Sequence, residues 1–560
     1  MKDWTIMVYM AGDNNLSDDM ITSINEIRDI ANAATSEIGG LSYDADITFV
    51  LEYDTAFPIA DTTRYVISKQ QQLEIPKKES LSTSEAVKKL IEDCKTDYPA
   101  KKYALIISGH SDAFQGQTLL VDENPPGITG IKELQEKISE GVKALPRKKL
   151  DVLAFEGCVM NTLEVMYQFR NTADIWIGSQ GSIPNYAWDY RSIVKDLITA
   201  TKPVDNNEFV RIIIEDVKKF HGKYSFGGRS VDISACDLSK LPDFVAELGK
   251  LTLLLNVSLI LPILDLLQSG ANFDFMKHPI IRMLLSSHWK SQTFMREQAV
   301  DLFDFAEILG NVCKDYVDET ETIVENPTQL KCTPRLLNLF LRTLSQQCQH
   351  LIDFAKNPKL VLKGMTTGVD FHYAKGISMF FPWSILAFLI TKENYSGSQS
   401  KLDKGLDFTK QPAGKRWLSF ITHFLILTER PAGNLDDVKD TLLKILGSIP
   451  TTIKVQKLAA DKENVEMEAF DFNSIEEISC SFLKYLEDSG QSLEELLLGN
   501  NFVEKDLQIF DDIQAALFAS EGGGTRDDHI RTRGAVDNRV FYFGRYRNLR
   551  VRDLKLTSDF

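Results

Sequence analysis

Along the first two hundred positions, apolar residues come in short, nearly unbroken runs, separated by longer stretches where they recur every three or four residues. The runs are 4–11 (WTIMVYMA), 47–53 (ITFVLEY), 103–108 (YALIIS), 150–155 (LDVLAF) and 175–179 (IWIGS). Short runs rich in branched and aromatic residues, apolar at both parities, are the pattern of strands covered on both faces. The intervening segments 18–34, 84–96, 131–144 and 161–170 carry the helical period. Strands alternating with helices predict an α/β fold, a mostly parallel sheet flanked by helices. Such sheets bind ligands in the loops beyond the carboxyl ends of their strands, which directs attention to a few positions.

Beyond Pro203 the pattern turns helix-rich to about residue 362, and a further apolar strand at 376–381 (GISMFF) is stopped by Pro382. Proline and glycine at 430–433 (RPAG) mark a linker. The section after it is acidic from 461 to 495 and Arg-dense from 526 to 552, with helices expected at 474–487 and 492–498 and paired strands at 540–543 and 549–551. The expected organisation is a core at 1–235, a helix-rich second part of the same unit at 236–429, and a small α+β accessory domain at 430–560.

Composition narrows the function. The net charge of −16 argues against a sequence-independent grip on nucleic acid or an anionic membrane, which needs positive surface. The most apolar stretch, 251–267, contains Asn256, Pro262 and Asp265, which fits a buried helix pair or a bend better than a membrane span. The opening MKDWTIMVYM lacks the basic region, long apolar core and small-residue cleavage site of a secretory signal. Seven scattered cysteines without a CxxC pair suggest neither a zinc site nor a disulfide framework. The expectation is a cytoplasmic protein with reduced thiols.

Two strands end in reactive side chains. The run 103–108 delivers Gly109, His110 and Ser111, and the run 150–155 delivers Glu156, Gly157 and Cys158. If these strands are neighbours, His110 and Cys158 emerge side by side. An imidazole beside a thiol lowers the thiol pKa or takes its proton, which makes the thiolate nucleophile. A helix starting at Val159 would favour the thiolate through its dipole. The backbone amides of Cys158 and Ser111 are candidates to hold an oxyanion. A cysteine ending a buried strand is also commonly just a small hydrophobe, and the local pattern leaves both readings open.

Longer blocks decide between them. The opening 4–17 (WTIMVYMAGDNNLS), the block 151–160 (DVLAFEGCVM) followed by Leu163, Glu164 and Val165, and the loop carrying Ser179, Gln180, Pro184, Trp188 and Tyr190 resemble the clostripain family of cysteine peptidases, in the caspase-like clan. So do 231–241 (VDISACDLSKL) and 376–382 (GISMFFP), so the resemblance runs in order through five blocks from residue 1 to about 425. It implies a caspase-like fold, a Cys158/His110 dyad and cleavage after basic residues. Where the family usually has glycine after the histidine, this chain has Ser111, which still offers a backbone N–H. Where it usually has aspartate two before the cysteine, this chain has Glu156, a carboxylate suited to a P1 arginine. Arginine is expected ahead of lysine, because its planar fork suits a single carboxylate. Ser179, Tyr186 and Asp189 are the further substrate-binding candidates, and a solvated strand-end charge is the plainer reading of Glu156.

Asp13, Asn14 and Asn15 follow the first strand. Calcium, which some family members need, would suit their oxygens. Turn and cap chemistry, with Ser17 or Asn15 capping the first helix, is the reading preferred from the residues. Lys143, Arg147, Lys148 and Lys149 lie between the histidine and cysteine strands, where relatives are often processed, and they also fit a solvated loop.

Three function classes result. The first is an endopeptidase acting on protein or peptide substrates with a basic P1 residue, its C-terminal domain coupling activation to a partner or signal, as in a bacterial defence or cell-death pathway. The second is an inactive pseudo-protease scaffold with the same fold. The third is a small-molecule amidase or acyltransferase using the same pair.

Overall fold

The first 54 residues contain the repeating step of the fold: β1 (Lys2–Ala11), α1 (Ser17–Thr35) and β2 (Ile47–Asp54), with the strands parallel from Trp4↔Ile47 to Ala11↔Asp54. The computed structural model describes residues 1–429 apart from 36–45, 56–61, 69–70, 78–80, 114–118, 124–125, 201, 224–229, 270–277, 295–297, 321–333, 358, 369, 383–384 and 398–404. Beyond 429 it describes 455–459 and 466–470. The helices and strands expected at 474–498 and 540–551, and the linker at 430–433, lie outside the described residues.

After β2 the chain adds an antiparallel meander, β3 (Thr63–Ser68) and β4 (Gln71–Pro76). Helix α2 (Thr83–Asp97) returns it to β5 (Ala100–Ser108), which pairs in parallel with β1. The hairpin β6 (Val121–Glu123) and β7 (Pro126–Ile128) and helix α3 (Ile131–Gly141) lead to β8 (Leu150–Glu156), parallel to β5. Helix α4 (Leu163–Gln168) leads to β9 (Ala173–Gly178), parallel to β8. Helices α5 (Tyr190–Ile198) and α6 (Asn206–Gly222) precede β10 (Val231–Asp237), antiparallel to β9.

The later elements are α7 (Leu241–Ser269), α8 (Pro279–Lys290), the hairpin β11 (Thr293–Phe294) and β12 (Ala299–Asp301), α9 (Leu302–Thr320) and α10 (Pro334–Lys356). Then come β13 (Val361–Thr367), β14 (Ser378–Phe380), α11 (Ile385–Ser396), α12 (Pro412–Glu429) and the antiparallel pair β15 (Val455–Ala459) and β16 (Glu466–Phe470).

The main sheet has nine strands in the order β13-β10-β9-β8-β5-β1-β2-β3-β4. Its parallel heart, β9-β8-β5-β1-β2, is the five runs expected from the sequence. The expected α/β sheet flanked by helices is therefore the observed fold. Alternation along the strands sorts the covers. Trp4, Ile6, Val8, Val152, Ala154 and Ile177 join one buried cluster with residues of α1, α5 and α6. On the opposite parity, Phe155 packs against Phe169 and Trp176, beside α4.

Four strands of the main sheet escape the hydrophobic pattern. β3 (TRYVIS), β4 (QQLEIP) and β13 (VLKGMTT) interleave polar residues, and β10 (VDISACD) carries acids at both ends. Only antiparallel partners at the margins stabilise them as strands. The run expected at 376–381 shortens to β14, outside the main sheet, with Ser378 bridging to Thr162.

The chain divides into two compact units, one of Met1–Pro242, Ala355–Phe380 and Thr391–Phe408, the other of Asp243–Phe354, Phe381–Ile390 and Thr409–Phe560. Within the second unit, Phe381 stacks on His288 at 3.8 Å and meets Trp417, Phe420 and Phe424 edge-on or tilted. Its α7 runs through Pro262 as one helix, so of the expected helix pair or bend the pair is not formed. Asn256 is accommodated by donating to the carbonyls of Thr252 and Arg416 at 2.7 Å. By length and composition, the stretch from 238 to 262 is apolar enough to cross a membrane, and 83% of its window is buried in the fold.

Candidate active site

The site belongs to the first unit and starts from backbone register. β5 and β8 are parallel neighbours, with Ser108 opposite Glu156. Gly109 N–H extends the ladder one step by donating to the Glu156 carbonyl at 3.2 Å. His110 and Cys158 follow immediately on adjacent loops, both partly exposed. Among the described cysteines, Cys94, Cys236, Cys313 and Cys348 are buried and Cys158 alone is partly exposed. Burial pushes the Cys236 thiol up to about 12 and those of Cys94, Cys313 and Cys348 up as well, which keeps them protonated and unreactive.

The two loops touch. The Ser111 hydroxyl donates to the Cys158 carbonyl at 2.7 Å. A Cβ at Gly157 would lie 2.4 Å from the Ser111 Oγ, so a side chain there would push the Ser111 hydroxyl from its place. The sulfur of Cys158 accepts from Ile183 N–H at 3.4 Å, which brings the loop after β9 against it. Val159 follows at φ +56°, the left-handed region that a β-branched residue rarely enters. Its N–H is held by the Gly181 carbonyl at 3.0 Å.

This backbone corrects one expectation. Helix α4 begins at Leu163 with Thr162 as its N-cap residue, not at Val159. The helix dipole falls off within about a turn, so it does not reach Cys158 as the sequence suggested. Asn161 is responsible, because its groups are used elsewhere. Its N–H donates to Ser179 O at 2.9 Å, its carbonyl accepts from Ser378 N at 2.9 Å, and its buried amide spans Trp176 Nε1 (2.6 Å), Ser234 Oγ (2.6 Å) and Gly376 O (3.2 Å).

Glu156 sits on the sheet face of α1 and α5 and is buried. Its carboxylate accepts from Trp188 N–H at 3.0 Å and from the Tyr190 hydroxyl at 2.9 Å. Burial raises its pKa to about 7, against the opposing hydrogen bonds of Tyr190, Ser108 and Trp188. Asp189 caps α5 by accepting from Ser192 N–H at 3.2 Å and from the Ser192 hydroxyl at 2.7 Å. Tyr186 donates its hydroxyl to Glu26 on α1. Ser179 is buried and meets Asn161 through its carbonyl. The structure thus gathers Glu156, Trp188 and Tyr190 under one loop and sends Tyr186 and Asp189 to neighbours on α1 and α5.

Asp232, missed from sequence, anchors that loop. Its buried carboxylate accepts from Gln180 N–H (2.7 Å) and Gly181 N–H (2.8 Å), and burial raises its pKa to about 6. An acid between the apolar residues Val231 and Ile233 was the available signal.

Asn14 closes the turn after β1, donating to Ala11 O and accepting from Leu16 N–H, both at 2.9 Å. The turn chemistry thus falls on Asn14, where Ser17 or Asn15 had been expected. Ser17 meets the Tyr53 hydroxyl. Asn15 is exposed, and its Oδ1 lies 2.6 Å from His110 Nε2. Among the described residues, no group of three or more His, Cys, Asp or Glu side chains is placed to hold a metal ion. The basic segment before β8 is turned. Lys148 N–H donates to Leu145 O at 3.0 Å, and Arg147 pairs with Asp151 and Asp174 at 2.9 and 2.6 Å.

The sequence pattern of the clostripain family, peptidase family C11, matches residues 8–352. Clostripain of Hathewaya histolytica is 28% identical over 198 residues, which is 30% of this chain and 36% of clostripain. The match thus spans about a third of the length of that curated relative. Among solved structures, a secreted C11 cysteine protease from Bacteroides thetaiotaomicron in complex with an irreversible peptide inhibitor superposes with a TM-score of 0.46 at 18% identity, over 74% of this chain and 99% of that one. An inactive zymogen C11 protease from Parabacteroides distasonis gives 0.43 at 16% identity, over 73% of this chain and 98% of that one.

Proposed function

The chain belongs to the clostripain family, and on that premise we propose that it is a cysteine endopeptidase cleaving proteins after basic residues, arginine ahead of lysine. The observation that carries this reading is the register of β5 and β8, which delivers His110 and the one partly exposed described cysteine, Cys158, from adjacent strand ends.

In this reading His110 takes the thiol proton as the Cys158 sulfur attacks the scissile carbonyl. Backbone N–H groups of Cys158 and Ser111 receive the developing oxyanion. The proton passes to the leaving amine, and water then hydrolyses the thioester. Glu156 is the P1 carboxylate, with Ser179, Tyr186 and Asp189 shaping the loop around it. A group pushed up to about 7 is largely neutral below that pH and becomes an anion above it. Recognition of a cationic P1 side chain should therefore strengthen as pH rises through about 7.

The test is a peptide series with P1 Arg, Lys, citrulline, Asp or Ala, on wild type, Cys158→Ala and Glu156→Gln. Turnover should vanish in Cys158→Ala. The Arg-to-citrulline ratio of kcat/KM should climb between pH 6 and 8, and that climb should be absent in Glu156→Gln. Equal ratios at every pH would remove Glu156 from specificity. Failure of Cys158 to react with a peptidyl-arginine acyloxymethyl ketone would favour an inactive scaffold. Residues 430–560 are proposed to regulate activity, and identical signal-independent turnover by the chain cut after 429 would overturn that.

A further inference from the structure

We propose that Asn15 is a positioning residue for His110, a third member of the site that fixes the tautomer of the imidazole. This rests on reading Cys158 and His110 as the peptidase pair. The strand order β1-β5-β8 places three consecutive strand ends in a row, with Met10 opposite Ser108 and Ser108 opposite Glu156. The loops beyond them carry Asn15, His110 and Cys158. Asn15 Oδ1 and His110 Nε2 are 2.6 Å apart, and an amide oxygen only accepts, so Nε2 carries the ring proton in neutral His110. Exchange of a proton with the thiol is thereby assigned to Nδ1.

The loop does not need Asn15 for its own shape. Asn14 closes the turn with both ends of its amide, and Leu16 is buried beneath it. Asn15 is exposed apart from its bond to the imidazole. An amide at this place orients the ring without adding charge. A carboxylate would hold imidazolium more tightly and keep the ring protonated to higher pH.

The step balances. The Cys158 S–H proton moves to His110 Nδ1 as sulfur bonds the substrate carbonyl carbon, and Nε2–H stays on Asn15 Oδ1 throughout. The Nδ1 proton then goes to the amine nitrogen as the C–N bond breaks, leaving the thioester and a neutral ring in its starting tautomer.

The full-length chain tests this with Asn15→Ala, Asn15→Asp, His110→Ala and Cys158→Ala, read by P1-Arg peptide kinetics, by the pH dependence of Cys158 alkylation with iodoacetamide, and by melting temperature. Asn15→Ala should lower kcat about tenfold to a hundredfold with KM unchanged and melting temperature unmoved, the size expected of a misplaced reacting group. Asn15→Asp should recover part of that rate and move the His110-dependent inflection of alkylation upward by about one unit or more. Wild-type kcat and pH profile in Asn15→Ala would overturn the proposal, as would an Asn15→Asp variant matching Asn15→Ala in both. A kcat loss that merely tracks a fall in melting temperature would overturn it too. If Cys158→Ala still turns over, or His110→Ala alkylates as wild type does, the peptidase-pair reading itself fails and this proposal falls with it. If the pair behaves as expected and the Asn15 variants are silent, only this proposal falls.

Discussion

Ser111 and Gly157 are complementary at the scale of single side chains. The hydroxyl of one fills the space that a Cβ on the other would take, and spends its proton on the Cys158 carbonyl. That carbonyl is one bond from the Cα bearing the candidate nucleophile, so the serine fixes the peptide plane at the site. Ser111→Ala should cost about 1 kcal/mol, the net worth of a typical intramolecular hydrogen bond, and slow labelling of Cys158 by a peptidyl ketone several-fold. Melting curves and labelling rates check this. Faster labelling in Ser111→Gly than in wild type would show the clamp to be a hindrance. The placement of Cys158 and His110 beyond adjacent strand ends was legible in the sequence because both follow apolar runs at once. Glu156 was legible as a carboxylate near the cysteine. Its burial was not, since that depends on Trp188 and Tyr190, more than thirty positions later.

Among elements, the segment between β8 and α4 explains most of what the hydrophobic pattern missed. Periodicity placed a helix from 161, but Asn161 and Val159 are held by partners on the β9 loop, β10 and the approach to β14. Such bonds are long-range and leave no period in the sequence. Asp232 is the anchor of this arrangement, and Asp232→Asn should leave one of the two loop N–H groups without its acceptor. An unsatisfied buried donor costs about 1–3 kcal/mol. Because Gly181 and Ser179 hold Val159 and Asn161 in turn, Cys158 labelling should slow more in Asp232→Asn than in a β3 variant of matched stability loss, such as Val66→Ala. Equal slowing would mean that the loop and the nucleophile segment are uncoupled. The five parallel strands were legible because burial on both faces demands apolar residues at both parities. The marginal strands were not, because partner pairing rather than their own composition stabilises them.

Across the whole molecule, buried carboxylates set a pH trend. Burial raises Glu156 and Glu164 to about 7 and Asp232 to about 6. Glu164 accepts from Phe380 N–H at 3.0 Å and the Tyr395 hydroxyl at 3.1 Å within the first unit. A carboxyl raised in the fold favours folding while protonated. Its contribution is full below its ordinary value and is lost as pH rises through 6 to 7, by on the order of 1–3 kcal/mol per group. Ion-paired carboxylates work the other way. Arg64 holds Asp93 down and Lys363 holds Glu215 down, and their contribution is lost as acid reaches the depressed values. Stability should therefore peak at mildly acidic pH and decline from about pH 5 to pH 8. Glu164→Gln should flatten the decline without touching Glu156. Melting temperature against pH for both proteins checks this, and an unchanged slope in the variant would exclude Glu164 as a contributor. The pH range in which Glu156 becomes an anion is thus the range in which the fold is expected to lose stability.

The strand order has a consequence for how such a protein is remodelled over time. The strands that lead to His110 and Cys158, β5 and β8, stand in the middle, with four strands outside one and three outside the other. The β3–β4 margin is a local antiparallel meander, joined to the sheet without any crossover helix. A change of length confined to that margin leaves the β5–β8 register, and with it the placement of His110 and Cys158, unaltered.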